Sequence, residues 1–165
     1  METGSLIYYA GSGVCRIAGT TEMKNPDGPR TYYVLSLVFK PDSTLYVPCD
    51  NEMLTARMVP LLNEKEIAAA LKKAAGTEPE WERDYRRRSE AFRRTLLTTD
   101  RVELLLLIKS VYRHRRDLAE GGKALHTTDD YFLRDAENLV YPEIAQVRGQ
   151  SYDEAAEDVR RAILE

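Results

Sequence analysis

The stretch from Trp81 to Arg94, WERDYRRRSEAFRR, contains side chains that can bind a polyanion. It holds the only tryptophan of the 165-residue chain together with six arginines. An arginine guanidinium pairs with phosphate oxygens in a fixed fork, and an indole ring can stack on bases or wedge between them. A polyanion that also offers bases is a nucleic acid, so these residue types indicate a nucleic-acid site.

At 3.6 residues per turn the same stretch predicts one helix. One side of this helix carries Trp81, Tyr85, Ser89 and Phe92. The candidate phosphate contacts occupy most of the remaining positions: Arg83, Arg86, Arg87, Arg88, Arg93 and Arg94. An alternative is a solvated helix whose aromatic side chains face a core while its arginines pair with the carboxylates of Glu82, Asp84 and Glu90. The periodicity alone does not choose between these two interpretations.

The positive charge of the chain is confined to its middle. The whole chain has a net charge of −3, yet residues 81–116 carry 11 basic and 5 acidic side chains, a net +6. The flanking residues 1–80 and 117–165 carry −2 and −7. Because the Debye length is about 8 Å in physiological salt, a ligand feels the local patch. The asymmetry favours a basic functional face, which Arg113 and Arg116 can extend.

Composition and spacing exclude several other classes of protein. No apolar run approaches the roughly 20 residues that span a bilayer, and residues 1–13 lack the features of a signal peptide, so we expect a cytoplasmic, nucleoid-associated protein. Cys15 and Cys49 lack metal-ligand spacing and are predicted to be reduced and buried. His114 and His126 form no metal or catalytic pattern. The sequence therefore predicts no enzyme, no cofactor and no metal.

Residues 1–60 predict a β domain. Four short apolar segments alternate with Gly-rich, Pro-rich and Asp-rich turns. The segments are Leu6 to Tyr9, Val14 to Ile17, Tyr32 to Phe39 and Leu45 to Val47. Four or five short strands in so few residues are typical of a small SH3-like or Tudor-like barrel, which commonly serves to dock other proteins.

Residues 61–165 predict a domain of about five helices, which makes the fold class α+β: a small SH3/Tudor-like β-barrel followed by an all-α helical bundle. Capping signals mark three helix starts, at Asn63, Asp100 and Ser151. The helix after Asp100 is apolar almost all round, so it should form the buried centre of the bundle. Pro142 should kink or interrupt the helix that starts at Thr127 or Thr128.

Two parts of the chain resemble the bacterial CarD family of transcription regulators, also called CdnL. Its RNA polymerase-interacting domain, which transcription-repair coupling factor shares, is similar to three stretches of this chain: Ile7–Ile17, Tyr33–Leu37 and Ser43–Asn51. Its helical C-terminal domain is similar to two further stretches: Glu78–Trp81 with the arginine-rich helix that follows, and Leu133–Gly149. These 165 residues contain no GxxxxGK[ST] loop, so we do not expect the repair factor itself.

The resemblance implies a function for each domain. The β domain is expected to dock on the β subunit of RNA polymerase through an exposed strand edge, formed by Leu45, Tyr46, Val47 and Pro48. The helical domain is expected to contact promoter DNA at the upstream edge of the transcription bubble, with Trp81 wedged into the minor groove so that the open complex is stabilised. The chain departs from the family at Ala10, where a proline is frequent, and at Tyr46, where some members have an arginine.

One alternative function remains open at this level. The protein can instead be an adaptor whose helical domain binds another protein, with its arginines forming only a solvated face. In both cases we expect a monomer without contact to membranes. The salt dependence of DNA affinity distinguishes the two functions, because only phosphate contacts release counterions.

Overall fold

A computed structural model describes residues 2–165 and places an antiparallel sheet before a group of helices. The chain divides into two compact units, Met1–Leu61 and Leu62–Glu165. The sequence-based boundary, between residues 60 and 61, differs from this division by one residue. The α+β class is as predicted.

The first unit is a five-stranded sheet with one short helix. The elements are β1 (Leu6–Tyr9), β2 (Gly13–Asn25), β3 (Gly28–Leu37), β4 (Thr44–Pro48), helix α1 (Glu52–Thr55) and β5 (Met58–Pro60). All pairings are antiparallel and the strand order is β4-β3-β2-β1-β5. Side chains such as Ile17, Leu35 and Val47 form the core on one face. Strands β4 and β5 are therefore the two edges.

The sequence patterns do not reveal all of this unit. The sequence patterns do not predict helix α1 or strand β5, since each is too short for a periodic signal. Strand β2 is much longer than expected, because Gly19 at φ +146° allows a bulge between Ile17 and Gly19 that bends the strand without ending it. The order of strands is consistent with a Tudor-like domain, although no β4–β5 pairing closes the sheet within the described residues.

The second unit, described from residue 62 to 165, contains five helices. They are α2 (Glu64–Ala75), α3 (Tyr85–Leu96), α4 (Arg101–Glu120), α5 (Thr127–Arg148) and α6 (Tyr152–Leu164). Helix α4 contacts the other four, and its side chains Leu104, Ile108 and Val111 are fully buried. Its predicted position at the centre is confirmed. Across residues 2–165, no helix has the length and apolar character needed to cross a membrane.

The structure differs from the sequence prediction at two places: the start of α3, and the interruption expected as one possible effect of Pro142 in α5. Helix α3 begins at Tyr85, where the Asp84 carboxylate caps it by accepting the Arg87 N–H (2.9 Å), so Trp81 lies outside the helix. Helix α5 continues through Pro142 without interruption. Pro142 and its neighbours are buried, and the packing of this turn offsets the missing backbone hydrogen bond. In α5 tertiary packing thus overrides the local signal of the proline, whereas at α3 the local cap by Asp84 sets the start of the helix.

Candidate functional site

The solvent side of α3 carries a dense group of arginines. Residues at positions i, i+1, i+4, i+7 and i+8 share one face of a helix. On α3 these positions are Arg86, Arg87, Glu90, Arg93 and Arg94, and all five side chains are exposed. Arg83, just before the helix, is exposed as well. We refer to Arg83, Arg86, Arg87, Arg93 and Arg94 as the arginine face.

The arginine face is not neutralised by the carboxylates beside it. Within the described part of the chain, none of its five guanidinium groups forms an ion pair. The Glu82 carboxylate accepts the Asp84 N–H (3.0 Å), and the Asp84 carboxylate accepts the Arg87 N–H. The alternative in which these acidic residues pair with the arginines is therefore not observed. The Arg93 guanidinium lies 5.7 Å from the ring centroid of Phe132, and no carboxylate of the described residues neutralises any of the five groups, so they can bind an external anion.

Arg88 does not belong to the arginine face. Its side chain points into the unit, where its Nε and Nη2 donate to the two carboxylate oxygens of Asp129 on α5 (2.9 and 3.0 Å). Both side chains are buried, with 8% and 1% of their surfaces exposed. Its Nη1 donates to the carbonyl of Glu82 (3.0 Å). The sequence predicts a DNA contact for Arg88, whereas the structure buries its guanidinium against Asp129 and the Glu82 carbonyl.

Trp81 lies in the irregular segment before α3 and is half-buried. Its indole stacks on the imidazole of His114, with ring centroids 3.8 Å apart and an interplanar angle of 12°. The edge of Phe92 packs against it at 6.2 Å, and the Arg88 guanidinium lies 4.6 Å from its ring centroid. The indole is thus held in a defined place by contacts from α3 and α4 while part of its surface stays accessible.

The stack on His114 depends on the charge of the imidazole. Burial lowers the pKa of His114, the neighbouring Asp129 and Asp117 raise it, and Arg88 lowers it. Burial is the largest effect, so the pKa falls below its ordinary value and the ring is uncharged at neutral pH. An uncharged imidazole can stack beside the Arg88 cation without electrostatic repulsion.

The remaining predicted DNA contacts are Tyr85, Arg113 and Arg116. Tyr85 is 48% exposed, and its hydroxyl donates to the Thr128 side chain (3.2 Å). Arg113 pairs with Glu78, which reduces its availability to phosphate. Arg116 is exposed near the end of α4, one residue after Arg115. Among residues 2–165 no group of His, Cys, Asp or Glu side chains is arranged to hold a metal.

The predicted polymerase contacts lie on the edge strand β4. Tyr46 is 51% exposed, whereas Val47 is 2% exposed and belongs to the core. Leu45 packs against the same core, and Pro48 is half-buried. Of the four predicted residues, only Tyr46 offers a largely exposed side chain, so the buried ones contribute to the sheet and not to a side-chain contact.

The backbone of β4 has a defined outer side. The Leu37 N–H donates to the Ser43 carbonyl (3.2 Å), and the Cys49 N–H donates to the Thr31 carbonyl (3.0 Å). In an antiparallel ladder, directly bonded pairs alternate with non-bonded pairs. Residues 43, 45, 47 and 49 therefore point their backbone groups at β3, and residues 44, 46 and 48 point theirs away. Tyr46 presents both an N–H and a carbonyl to the outside.

Sequence reasoning missed an exposed apolar side chain next to this edge. Met53 is 84% exposed on α1, and α1 packs against β4. The sequence signal that could have indicated α1 is Asn51, whose side chain caps this helix by accepting the Leu54 N–H (3.1 Å). Tyr46 on β4 and Met53 on α1 are thus two exposed apolar side chains of the first unit, of a kind that suits a protein partner.

Comparison with known proteins bears on the first unit. Residues 1–59 match the family model for the CarD-like/TRCF RID domain, where RID denotes the RNA polymerase-interacting domain. No curated protein sequence matches the chain. The family match indicates RNA polymerase binding and a role related to transcription. The first unit is therefore similar to the RNA polymerase-interacting domains of the CarD-like/TRCF family.

Proposed function

We propose that this protein is a transcription regulator that docks on the β subunit of RNA polymerase and binds promoter DNA at the upstream edge of the bubble. In this way it stabilises the open complex. The observation that carries the DNA part is the unpaired arginine face of α3, in the same unit as the half-buried Trp81, which precedes Arg83 by two residues. The similarity of residues 1–59 to RNA polymerase-interacting domains supports the docking part.

Docking is proposed to use the outer side of β4. An exposed strand edge can bind a partner strand through main-chain hydrogen bonds, while neighbouring side chains provide specificity. Tyr46 and Met53 supply such side chains, and the outward backbone groups of residues 44, 46 and 48 supply donors and acceptors. This mode does not need an arginine at position 46.

The helical unit is proposed to act on melted DNA by differential binding. The arginine face contacts phosphates, which positions the protein without reading sequence. The exposed part of the Trp81 indole stacks where bases are already unstacked, as they are at the edge of a bubble. Because closed duplex offers no such surface, the contact favours the open state over the closed one.

We expect Tyr46→Pro to weaken docking while the protein stays folded. Proline removes one N–H, and at position 46 that N–H points away from β3, so the internal ladder is kept. The β subunit should then bind the variant about 2- to 10-fold more weakly, corresponding to one lost hydrogen bond of about 0.5–1.5 kcal/mol. Calorimetry with the isolated β subunit measures the difference.

Val47→Pro provides the matched comparison for this edge. Its N–H points at β3 and its side chain is buried, so proline there breaks the sheet and lowers the melting temperature of the first unit. If folded Tyr46→Pro binds the β subunit as tightly as the unmodified protein, the outer side of β4 is not the docking surface.

We also expect the protein to lengthen the lifetime of the open promoter complex and Trp81→Ala to reverse this. A base stacked on an aromatic ring contributes about 1–3 kcal/mol, so the variant should shorten the lifetime by about 5- to 100-fold. A competitor-challenge assay of preformed open complexes, with docking measured in parallel, reports the effect.

Trp81→Phe is the control for this experiment, since it keeps an aromatic ring in contact with its neighbours and should retain part of the effect. The alanine variant loses the stack on His114 and should be destabilised by about 1–3 kcal/mol, so lifetimes are compared at a temperature where both variants are folded. An unchanged lifetime with folded, docked Trp81→Ala refutes the wedge.

A further inference from the structure

The segment that carries Trp81 has no regular secondary structure, yet it is anchored at both ends. It runs from residue 77 to residue 84, between α2 and α3, and its residues are mostly exposed. Such a segment loses considerable conformational entropy when it is held in one conformation, and contacts must offset this loss. Two buried cations supply those contacts through main-chain carbonyls.

Lys109 anchors the beginning of the segment. It lies on α4 with 0% of its surface exposed, and its Nζ donates to three carbonyls: Ala74 (2.9 Å), Ala75 (3.0 Å) and Thr77 (2.7 Å). The Glu78 carboxylate lies 3.6 Å from the same nitrogen. Two of the carbonyls are in the last turn of α2, where no N–H of a following helical turn is available; the Ala74 carbonyl also accepts the Thr77 N–H (3.3 Å). One ammonium group thus caps α2 and holds the chain that leaves it.

Arg88 anchors the end of the segment. Its Nη1 donates to the carbonyl of Glu82 at 3.0 Å and approaches that of Arg83 at 3.4 Å. Its other donors bind Asp129, so the guanidinium is itself fixed to α5. Trp81 lies between the two anchors, with its ring against His114 and the Arg88 guanidinium.

A fully buried lysine is rare because removing an ammonium group from water costs several kcal/mol. Burial accordingly lowers the pKa of Lys109, while three carbonyl acceptors and the Glu78 carboxylate favour its charged form. A leucine or methionine would fill the same volume without that cost. The ammonium group adds hydrogen bonds to carbonyls at the end of α2 and at the start of the 77–84 segment.

We propose that Lys109 and Arg88 are positioning residues that clamp the 77–84 segment by its carbonyls and so hold the Trp81 ring in place. The inference rests on the proposed function for its biological consequence, since the position of Trp81 matters only if Trp81 contacts DNA. The clamp itself is a property of the free protein and can be measured without polymerase or DNA.

The first experiment measures the accessibility of Trp81 in the free protein. As the single tryptophan, it makes fluorescence quenching by acrylamide specific for this segment. Lys109→Met removes the ammonium group and keeps the volume. We expect its quenching constant to rise about twofold well below the melting temperature, because the segment opens locally. Lys72→Met, on the exposed side of α2, removes the same charge and should leave quenching unchanged.

A second variant keeps the test decisive if Lys109→Met does not fold. Lys109→Gln retains an amide donor and should give an intermediate quenching constant. Lys109 variants that melt at lower temperature but show unchanged Trp81 quenching below the transition overturn the proposal, since Lys109 is then only a structural residue.

The lifetime of the open complex separates this inference from the proposed function. If Lys109→Met raises quenching and shortens the lifetime about as much as Trp81→Ala, both are supported. If quenching rises and neither variant changes the lifetime, the clamp is supported and the proposed role of Trp81 on DNA fails. If quenching does not change while Trp81→Ala still shortens the lifetime, the clamp alone fails.

Discussion

Arg88→Ala is expected to destabilise the helical unit by about 3–5 kcal/mol, because it leaves the buried Asp129 carboxylate without a partner. The same change removes the donor to the Glu82 carbonyl. The free energy of unfolding of a typical domain is about 5–15 kcal/mol, so the loss is a large fraction of the total stability. Chemical denaturation followed by Trp81 fluorescence reports on this unit, since Trp81 lies within it.

Arg87→Ala is the neighbouring control. Arg87 is exposed on the arginine face without an ion pair, and its replacement should change stability by no more than about 0.5 kcal/mol. Replacing Arg88 and Asp129 together by methionine and leucine should recover much of the loss, because no uncompensated charge is then buried. Equal stabilities of Arg88→Ala and Arg87→Ala would contradict the buried pair.

Removing three cations of the arginine face should have the largest effect on DNA binding. The combined variant Arg86→Ala, Arg87→Ala and Arg94→Ala is expected to lower affinity for a DNA duplex containing a bubble by on the order of 10²-fold at 0.1 M salt. The slope of log affinity against log salt should flatten by about 3, since each arginine that is removed leaves one phosphate without its cation. Fluorescence anisotropy titrations at several salt concentrations measure both quantities.

Glu90→Gln gives a control of opposite sign. Glu90 lies among the exposed arginines, so removing its charge should raise DNA affinity while the arginine contacts stay intact. If the arginine face is only a solvated surface of an adaptor protein, neither variant should change the slope of log affinity against log salt. An unchanged slope in the triple variant, with folding preserved, would therefore favour the adaptor.

The local signals of the helical unit were readable from the sequence because they involve residues three positions apart. The capping boxes at Asn63 with Glu66 and at Ser151 with Glu154 are both present, and Asp100 caps α4. The apolar run on α4 correctly indicated the centre of the bundle, since only a buried helix is apolar all round.

The roles of individual cations were not readable in the same way. Arg88 and Arg87 are neighbours in one arginine run, and what separates them is Asp129, which lies 41 residues after Arg88. Lys109 likewise binds main-chain carbonyls more than 30 residues away. Every residue has such a carbonyl, so the sequence does not identify the ones that bind. These contacts also hold the chain before Tyr85 out of the helix that its periodicity predicts.

The late position of β5 in the chain has a consequence for the order in which the first unit folds. Strands β1 to β4 pair with sequence neighbours, whereas Ile7 of β1 pairs with Pro60 of β5. Contacts between distant residues form more slowly because a long loop must close first. During synthesis β1 therefore waits with one unpaired edge, which is the state in which strands aggregate. The second edge of β1 can be covered only once Met58–Pro60 has left the ribosome.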